Sequence, residues 1–263
     1  MSLDAVAFVG ETATVSAHFT RVVLEVPDIE RLTLPRHGDA AVGVYFGDSL
    51  SAPGRTYTVR DDDRANGRLV VDILMHGDGV GTAWARRARR GDKVILAHAN
   101  SWYHPPMTTR WQLLVADMAG LPALARILDD PPAVPTTVVL DVDDDHLGYL
   151  SSRRGVTSAR TLGVPLPQLV AAHTGTAGPG YCWFAGEAGE ARAVRKHLRR
   201  ELRWSHDQLD VMGYWRQDST AWDRRFARVG ADVFSAYTRA LDAGQSRKRA
   251  FEEFDEALER AGL

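Results

Sequence analysis

The pattern of apolar residues changes at Trp111, and this change divides the chain into two kinds of fold. Before Trp111, short apolar runs alternate with turns rich in glycine, proline and aspartate, which is typical of antiparallel strands. The predicted strands cover residues 15–26, 41–46, 55–60, 68–75 and 93–97, and the clearest helix covers residues 82–90. Several short strands with one helix predict a small antiparallel β-barrel over residues 1–110.

After Trp111, continuous apolar runs alternate with segments of helical periodicity. The predicted strands cover residues 111–117, 136–142, 156–162, 180–187 and 207–214, and the predicted helices cover residues 121–128 and 188–202. Apolar strands that alternate with helices predict a parallel sheet that is covered on both faces. We therefore predict an α+β chain of two domains, in which an α/β nucleotide-binding domain at residues 111–216 follows the barrel.

Residues 217–263 continue beyond both domains. Apolar residues recur at helical spacing in two segments that are joined around Gly244. We predict a helical extension of two helices. Packing against the rest of the protein, or a contact between two copies of the chain, is the simplest role. A lid or a docking element for a partner is the alternative.

Composition excludes several classes of function. A formal net charge of −2 argues against nucleic-acid binding, which needs a strongly basic surface. A single cysteine, Cys182, excludes an internal disulfide and fits a reducing compartment. Residues 1–20 lack the pattern of a signal peptide, and no apolar run is long enough to cross a membrane, so we expect a soluble cytoplasmic protein without membrane insertion.

Neither a metal site nor a catalytic nucleophile is indicated by local spacing. His98 and His104 flank aromatic residues but have no further ligand at metal-binding spacing, so we predict no metal site. The Gly-x-Ser-x-Gly pattern of serine hydrolases is absent from the sequence.

The barrel half contains a group of motifs that suit a nucleotide cofactor. Residues 55–60 read Arg-Thr-Tyr-Thr-Val-Arg, residues 76–84 read His-Gly-Asp-Gly-Val-Gly-Thr-Ala-Trp, and Gly-Asp follows at 91–92. The guanidinium of Arg55 suits phosphate oxygens, Tyr57 offers a flat face and Thr58 offers a hydroxyl. Small residues at 79–83 let main-chain N–H groups approach an anion where a helix begins. Taken alone, Arg-x-Tyr-Thr is more typical of a strand with surface arginines, and the ordered His-Gly turn, Trp84 and Gly91-Asp92 favour the cofactor interpretation.

In this order, the motifs resemble the flavin-binding half of the siderophore-interacting proteins, also called NAD(P)H-dependent ferric-siderophore reductases, which belong to the ferredoxin–NADP-reductase-like flavoproteins. The chain departs from the family pattern at Gly81, where the family has Gly-Pro-Ala, and its turn is about one residue shorter. The resemblance implies FAD, with Tyr57 against the isoalloxazine, Thr58 at its polar edge, and Arg55 and the turn at the pyrophosphate. The cofactor residues that it implies here are Arg55, Tyr57, Thr58, Asp72, His76, Gly77, Gly81, Thr82 and Ala83.

The second half resembles the family's nicotinamide domain, whose first strand ends in Gly-Asp-Glu-Thr-Ala-Leu-Pro-Ala. Residues 116–123 read Ala-Asp-Met-Ala-Gly-Leu-Pro-Ala, so Met118 and Ala119 replace the family's Glu and Thr. Ligands bind beyond the carboxyl ends of strands in open α/β sheets, which suits this loop. Residues 185–187 and 213–216 resemble the family's Ala-Gly-Glu and Gly-Tyr-Trp-Arg. The NAD(P)H-binding residues implied are Asp117, Leu121, Pro122 and Glu187. The aromatic pair of the last motif, which includes Trp215, is implied to lie near the flavin, with Arg216 near an anionic ligand.

Plainer interpretations of these and two other segments stay open. Glu187 suits the first turn of a helix, and adjacent aromatics such as 214–215 are more often core residues. The acidic run Asp141, Asp143, Asp144 and Asp145 suits either ribose hydroxyls or a solvated loop. Residues 102–104 suit either the adenine end of the flavin or a surface turn.

The resemblance implies that NAD(P)H reduces FAD and that the flavin passes single electrons to a chelated ferric ion. A flavin accepts two electrons and releases them one at a time. Oxygen-rich chelators hold Fe(III) better than Fe(II), so reduction releases iron. The substrate implied is a ferric siderophore, and no catalytic side chain is needed. The alternatives are a reductase for another acceptor, such as ferredoxin or a quinone, or a non-enzymatic protein that holds a flavin or siderophore. The sequence leaves the oligomeric state open.

Overall fold

A computed structural model describes residues 4–36, 38–77, 79–143, 146, 149–150, 156–160, 163–173, 178–217 and 219–263. Its first domain is a closed antiparallel barrel with the strand order β1-β2-β5-β4-β3-β6. The strands are β1 (Ala5–Thr14), β2 (Phe19–Glu25), β3 (Ala41–Tyr45), β4 (Gly54–Asp63), β5 (Arg68–Leu74) and β6 (Lys93–Asn100). Small and branched apolar residues fill the interior, and Trp84 of helix α1 (Val80–Ala85) stacks on Phe46 at a centroid distance of 4.7 Å.

Strand β1 is missing from the sequence prediction, whose first strand within the barrel began at residue 15. Ala5, Ala7 and Val9 are buried, whereas Val6 and Phe8 between them are exposed. Both faces of the strand are therefore apolar, and the contrast that marks a half-buried strand is missing. The strand is needed to close the barrel, because it pairs with both β2 and β6.

Helix α1 is also shorter than the predicted helix at residues 82–90. It ends at Ala85, and the arginine-rich segment that follows forms turns. The carboxylate of Asp92 accepts a hydrogen bond from the Arg89 N–H at 2.8 Å, and Gly91 has a φ of +91° that reverses the chain. Few apolar side chains in residues 86–90 are available to hold a longer helix against the barrel.

The second domain contains a five-stranded parallel sheet with the order β11-β10-β7-β8-β9. The strands are β7 (Trp111–Asp117), β8 (Thr136–Asp141), β9 (Val156–Arg160), β10 (Gly180–Glu187) and β11 (Leu209–Trp215). Helix α2 (Leu121–Asp129) covers the face toward the barrel, and α3 (Leu166–His173) and α4 (Ala188–Lys196) cover the other face. The predicted fold class, a barrel followed by a parallel α/β domain, is confirmed.

A largely buried ion pair joins the two domains. Arg126 of α2 is 8% exposed and donates to the Val59 carbonyl at 2.7 Å and to the Asp62 carboxylate at 2.8 Å, both on β4. Burial would raise the pKa of Asp62, but hydrogen bonds from Arg126 and Arg64 outweigh burial and lower the pKa below its usual value. The α/β domain is therefore fixed against the barrel through β4, the strand that carries the Arg-x-Tyr-Thr motif.

The two helices predicted after residue 217 are present as α5 (Ser219–Asp242) and α6 (Arg247–Arg260), and together they are called the C-terminal hairpin below. The hairpin packs on the α/β domain of the same chain. Lys248 binds Asp210 of β11 at 2.7 Å, and Arg195 at the end of α4 binds Asp255. Among the residues that are described, no helix is both long and apolar enough to cross a bilayer.

Candidate flavin and nicotinamide sites

A cleft of about 740 Å³ separates the barrel from β11 and the C-terminal hairpin. Cavities of this size are typical of cofactor and substrate sites. The barrel side is formed by Arg55, Thr56 and Thr58 of β4, together with residues 100–102 and His104. Strand β11 and α6 form the opposite side, and they contribute Met212, Tyr214, Arg216, Lys248, Phe251 and Phe254.

Arg55 and Thr58 lie on the barrel side of this cleft, as the motif predicts for a flavin site. The guanidinium of Arg55 is exposed and donates to the Gly54 carbonyl at 2.8 Å, whereas Thr58 is buried. Burial raises the pKa of the Tyr214 hydroxyl well above its usual value, and contact with the Thr58 side chain opposes that shift. Tyr214 is therefore neutral at pH 7, and the positive charge of Arg55 is not offset by a phenolate.

Tyr57 faces the start of α1 rather than lining the cleft. Its ring packs against Phe46 at a centroid distance of 6.4 Å. Its hydroxyl lies so close to Gly81 that a Cβ at this position would overlap the Tyr57 oxygen. Burial raises the pKa of Tyr57 to about 12. Any side chain at residue 81 would therefore displace the tyrosine, and the role of Tyr57 against the isoalloxazine stays a prediction.

The remainder of the predicted phosphate turn is assembled around Thr82. The Thr82 hydroxyl donates to the His76 carbonyl at 3.0 Å, which ties the start of α1 to the end of β5. Gly77 has a φ of +52°, a conformation that favours glycine. Gly81 and Thr82 are buried, and Ala83 follows them on the first turn of α1.

Asp72 is engaged in an ion pair. Its carboxylate accepts two hydrogen bonds from Arg21, at 2.7 and 2.8 Å, and a third from the Tyr149 hydroxyl. Tyr149 follows the second strand of the α/β domain, so the group joins the two domains. Both carboxylate oxygens have protein donors, and Asp72 does not line the cleft.

Asp117, at the carboxyl end of β7, organises the predicted nicotinamide loop. It accepts hydrogen bonds from the Trp215 indole at 2.5 Å and from the Ala119 N–H at 2.8 Å. Burial raises the pKa of Asp117, and these donors oppose the shift. A Cβ on Gly120 would overlap the Ala185 carbonyl, so glycine lets the loop cross β10 closely. Leu121 and Pro122 are buried in the first turn of α2.

Glu187 is the N-cap of α4. Its carboxylate accepts from the Gly189 N–H and, at 3.1 Å, from the Glu190 N–H, and it also accepts from the Gln217 N–H at 3.3 Å. The plainer interpretation, a carboxylate that suits the start of a helix, therefore describes its contacts. A role toward NAD(P)H stays a prediction.

Neighbouring residues of β11 face two different sites. Tyr214 and Arg216 line the cleft, whereas Trp215 is turned to the opposite face, where its indole binds Asp117. Trp215 is 39% exposed and is therefore not a core residue. Side chains alternate along a strand, so Trp215, which the resemblance places with Tyr214 near the flavin, faces the Asp117 loop instead.

Asp39 is a central residue that motif comparison did not identify. It is fully buried, and it accepts hydrogen bonds from the Ser101 hydroxyl (2.7 Å) and from the main-chain N–H groups of Trp102 (2.7 Å) and Tyr103 (2.9 Å). The Trp183 indole of β10 donates to its second oxygen at 2.8 Å. Residues 101–104 are therefore held between the domains, and Trp102 and His104 form part of the cleft wall. The partners of Asp39 lie 62 to 144 positions away, which is beyond any local motif.

Asp144 and Asp145, two of the four aspartates in the acidic run after β8, lie outside the described residues. Asp141 ends β8 opposite Asp117 of β7, so two carboxylates stand at adjacent strand ends. This position suits a ribose, as predicted from the sequence, but the binding role stays a prediction.

Family models match both halves of the chain. The model described as "Siderophore-interacting FAD-binding domain" covers residues 45–101, and "Siderophore-interacting protein" covers residues 109–218. An uncharacterised protein of Mycobacterium tuberculosis is 30% identical over 241 residues, which represent 78% of this chain and 80% of that protein. The chain belongs to the siderophore-interacting protein family.

Two further comparisons agree with this assignment. The ferric vibriobactin reductase of Vibrio cholerae is 26% identical over 181 residues, which cover 62% of this chain and 64% of that protein. The solved structure of the siderophore-interacting protein from Acinetobacter baumannii superposes with a TM-score of 0.75 at 19% identity. That superposition covers 88% of this chain and 99% of the other, and it shows the same fold.

The siderophore-interacting protein models leave the C-terminal hairpin unmatched. The second match ends at residue 218, one position before α5 begins. The hairpin nevertheless forms one side of the cleft that Arg55 and Thr58 line. Part of this wall is thus built from residues beyond the matched segments.

Proposed function

We propose that the chain is a flavin-dependent ferric-siderophore reductase that takes its electrons from NAD(P)H. The observation that carries the proposal is the cleft in which Arg55 and Thr58 of the FAD-binding domain face the carboxyl end of β11. The names of relatives, which include a ferric vibriobactin reductase, support the same reaction class.

The residues present fit a flavin nucleotide. Arg55 would hold the pyrophosphate through its guanidinium, and Gly81 leaves room for the Tyr57 hydroxyl to pack against the start of α1, next to the turn that the resemblance assigns to the pyrophosphate. Thr58 offers a hydroxyl on the cleft wall, and Tyr214 offers an aromatic face there. FAD, when bound, would accept two electrons from the donor and release them one at a time to the acceptor.

NAD(P)H, the electron donor, and the ferric chelate, the electron acceptor, would approach the flavin from different sides. The loop after β7, with Asp117, and the end of β10, with Glu187, would receive NAD(P)H at the carboxyl edge of the sheet. The cleft would receive the ferric chelate, because it combines cationic side chains with aromatic walls such as Trp102 and Phe251. No side chain needs to act as an acid or base, so the chain's contribution is orientation and charge.

A spectroscopic titration tests the proposal. The purified protein should show the absorbance of an oxidised flavin, and anaerobic NADH or NADPH should bleach it. A ferric chelate should then restore the colour, while a chromogenic chelator reports the Fe(II) formed. A flavin that is bound but never reduced would favour a non-enzymatic binding protein. Reoxidation by ferredoxin or a quinone, but not by ferric chelates, would favour another acceptor.

Replacing Arg55 by alanine is expected to lower flavin occupancy without unfolding the barrel. A hydrogen bond to a charged group contributes about 1.5–3 kcal/mol, so flavin affinity should fall by roughly ten- to a hundredfold. Absorbance per mole of protein after gel filtration measures the loss. Arg68→Ala, which removes an exposed arginine from β5, is the matched control and should keep its flavin. Equal occupancy in Arg55→Ala and the parent would exclude Arg55 from the site.

The double variant Met118→Glu, Ala119→Thr is expected to tighten NAD(P)H binding. It restores two polar side chains, each worth about 0.5–1.5 kcal/mol, so half-saturation should fall by about five- to a hundredfold. Stopped-flow bleaching at several nucleotide concentrations gives this value. Because Met118 packs against the core, Ala119→Thr alone provides a milder comparison. Leu50→Glu, in an exposed turn, controls for the added charge. Unchanged half-saturation in both loop variants would mean that these positions do not touch the nucleotide.

A further inference from the structure

Two histidines and an aspartate come together where the barrel meets the α/β domain. His18 lies in the turn between β1 and β2, and Asp143 and His146 lie just after β8. One ligand atom of each residue lies within 4.8 Å of the corresponding atoms of the other two. The histidines are 128 positions apart, which explains why the spacing of residues along the chain predicted no metal site.

The separation of the two imidazoles matches metal coordination. His18 Nδ1 and His146 Nε2 are 3.4 Å apart. Two nitrogens bound to one tetrahedral ion at about 2.0–2.1 Å stand about 3.3–3.4 Å from each other. The observed distance is long for a hydrogen bond between ring nitrogens, whereas it is the spacing that a shared metal requires.

Hydrogen bonds of Ser16 indicate which nitrogen of His146 is unprotonated. The Ser16 oxygen accepts from the main-chain N–H groups of His18 and Phe19, both at 3.2 Å. A hydroxyl has one proton to donate, and the remaining contact of Ser16 is with His146 Nε2 at 2.9 Å. Ser16 therefore donates to Nε2, which must carry a lone pair. A metal ion would replace this hydrogen bond at the same lone pair, which is on the nitrogen nearest His18.

His146 is 1% exposed, and its ring packs edge-on against Phe19. Its Nδ1 has no hydrogen-bond partner among the residues that the structure describes. His18 and Asp143 are exposed, so an ion can reach the group from solvent.

We propose that His18, Asp143 and His146 bind a divalent transition-metal ion at the junction of the two domains. Two imidazoles and one carboxylate suit Zn²⁺ or Fe²⁺ and select against Mg²⁺, which prefers oxygen ligands. The ion would link the turn between β1 and β2 to the segment after β8. Metal binding would therefore stabilise the arrangement of the domains. None of the three ligands lines the flavin cleft, so the site is separate from the proposed electron path.

Titration of the full-length, chelator-treated protein tests the site. Calorimetry with Zn²⁺, visible absorbance with Co²⁺ and an anaerobic Fe²⁺ titration should each give one ion per chain, and Mg²⁺ should give none. The exposed ligands allow mild variants, His18→Asn and Asp143→Asn. Loss of a group that only supports a ligand costs about 10–100-fold in affinity, so loss of a ligand should cost at least about tenfold. His98→Asn, which removes an exposed imidazole elsewhere on the barrel, should bind as the parent does.

Thermal unfolding gives a second readout that concerns the domain junction. Zn²⁺ should raise the melting temperature of the parent and of His98→Asn, but not of His18→Asn. The proposal would be overturned if the parent bound the ion no more tightly than a His18→Asn, Asp143→Asn double variant does. Full affinity in either single variant would overturn it as well. Flavin occupancy should be equal in all of these proteins, so this test does not depend on the reductase assignment.

Discussion

Replacing Asp39 by asparagine is expected to lower the free energy of unfolding by about 3–5 kcal/mol. The carboxylate is fully buried and accepts four hydrogen bonds from both domains. An asparagine would keep one oxygen and would turn an NH₂ group toward N–H donors, so at least one buried donor would lose its partner. Hydrogen bonds to a charged group contribute about 1.5–3 kcal/mol each, and an unpaired buried donor adds its own cost.

Urea unfolding, followed by the fluorescence of the tryptophans, measures this effect. Asp28→Asn, which changes an exposed acid of the barrel, is the matched control and should stay within about 0.5 kcal/mol of the parent. A similarly small change in Asp39→Asn would show that the four hydrogen bonds are not needed to hold the domains together. In that case the position of residues 101–104 would have to depend on other contacts.

Truncation after Gln217 is expected to lower the melting temperature by about 4–8 °C and to cause self-association. The deletion removes the ion pairs of Lys248 and Arg195 and uncovers apolar parts of β11. A loss of about 2 kcal/mol would shift the melting temperature of a chain of this size by roughly that amount. Light scattering reports the change in mass, since an uncovered apolar face promotes association.

The truncated protein also distinguishes packing from a role as a lid. If the C-terminal hairpin only packs, flavin bleaching by NAD(P)H and reoxidation by ferric chelates should keep the parent rates in the fraction that stays monomeric. If the hairpin shapes the acceptor side of the cleft, reoxidation should change while bleaching does not. Phe234→Ser, which alters an exposed residue of α5, retains the hairpin and is the control. An unchanged mass and melting temperature would refute the expected packing role.

The strands of the α/β domain were predictable because they are buried on both faces. Residues 111–117 and 180–187 read as continuous apolar runs, and the structure places β7 and β10 at these positions. The barrel was harder to predict, because β1 has apolar residues on both its buried face and its exposed face. No alternation of apolar and polar residues marks it as a strand. Helix α1 is held by Trp84 and stops where the arginines begin, whereas propensity alone favours a longer helix.

The candidate flavin site was predictable where a local motif defines it. Arg55 and Thr58 follow from Arg-x-Tyr-Thr, and Gly81 follows from the turn before Trp84. Asp39 and His146 were not predictable, because their partners are distant in sequence and meet only after the two domains have packed together. A single sequence contains no record of such pairs. Asp72 shows the reverse case, since a position chosen by resemblance contacts Arg21 and Tyr149 instead of the cleft.

The alternating faces of β11 place a constraint on how this chain can change during evolution. Tyr214 and Trp215 are adjacent, yet Tyr214 faces the candidate flavin cleft and Trp215 binds Asp117 in the candidate nicotinamide loop. The register with β10 passes an irregularity between Gly186 and Glu187, just where this division occurs. A one-residue insertion before Leu209 would exchange the two faces and alter both sites at once. Under the proposed function, the preferences for electron donor and electron acceptor would be coupled through the register of a single strand. Point substitutions, rather than insertions or deletions, would then be the changes that alter either preference alone.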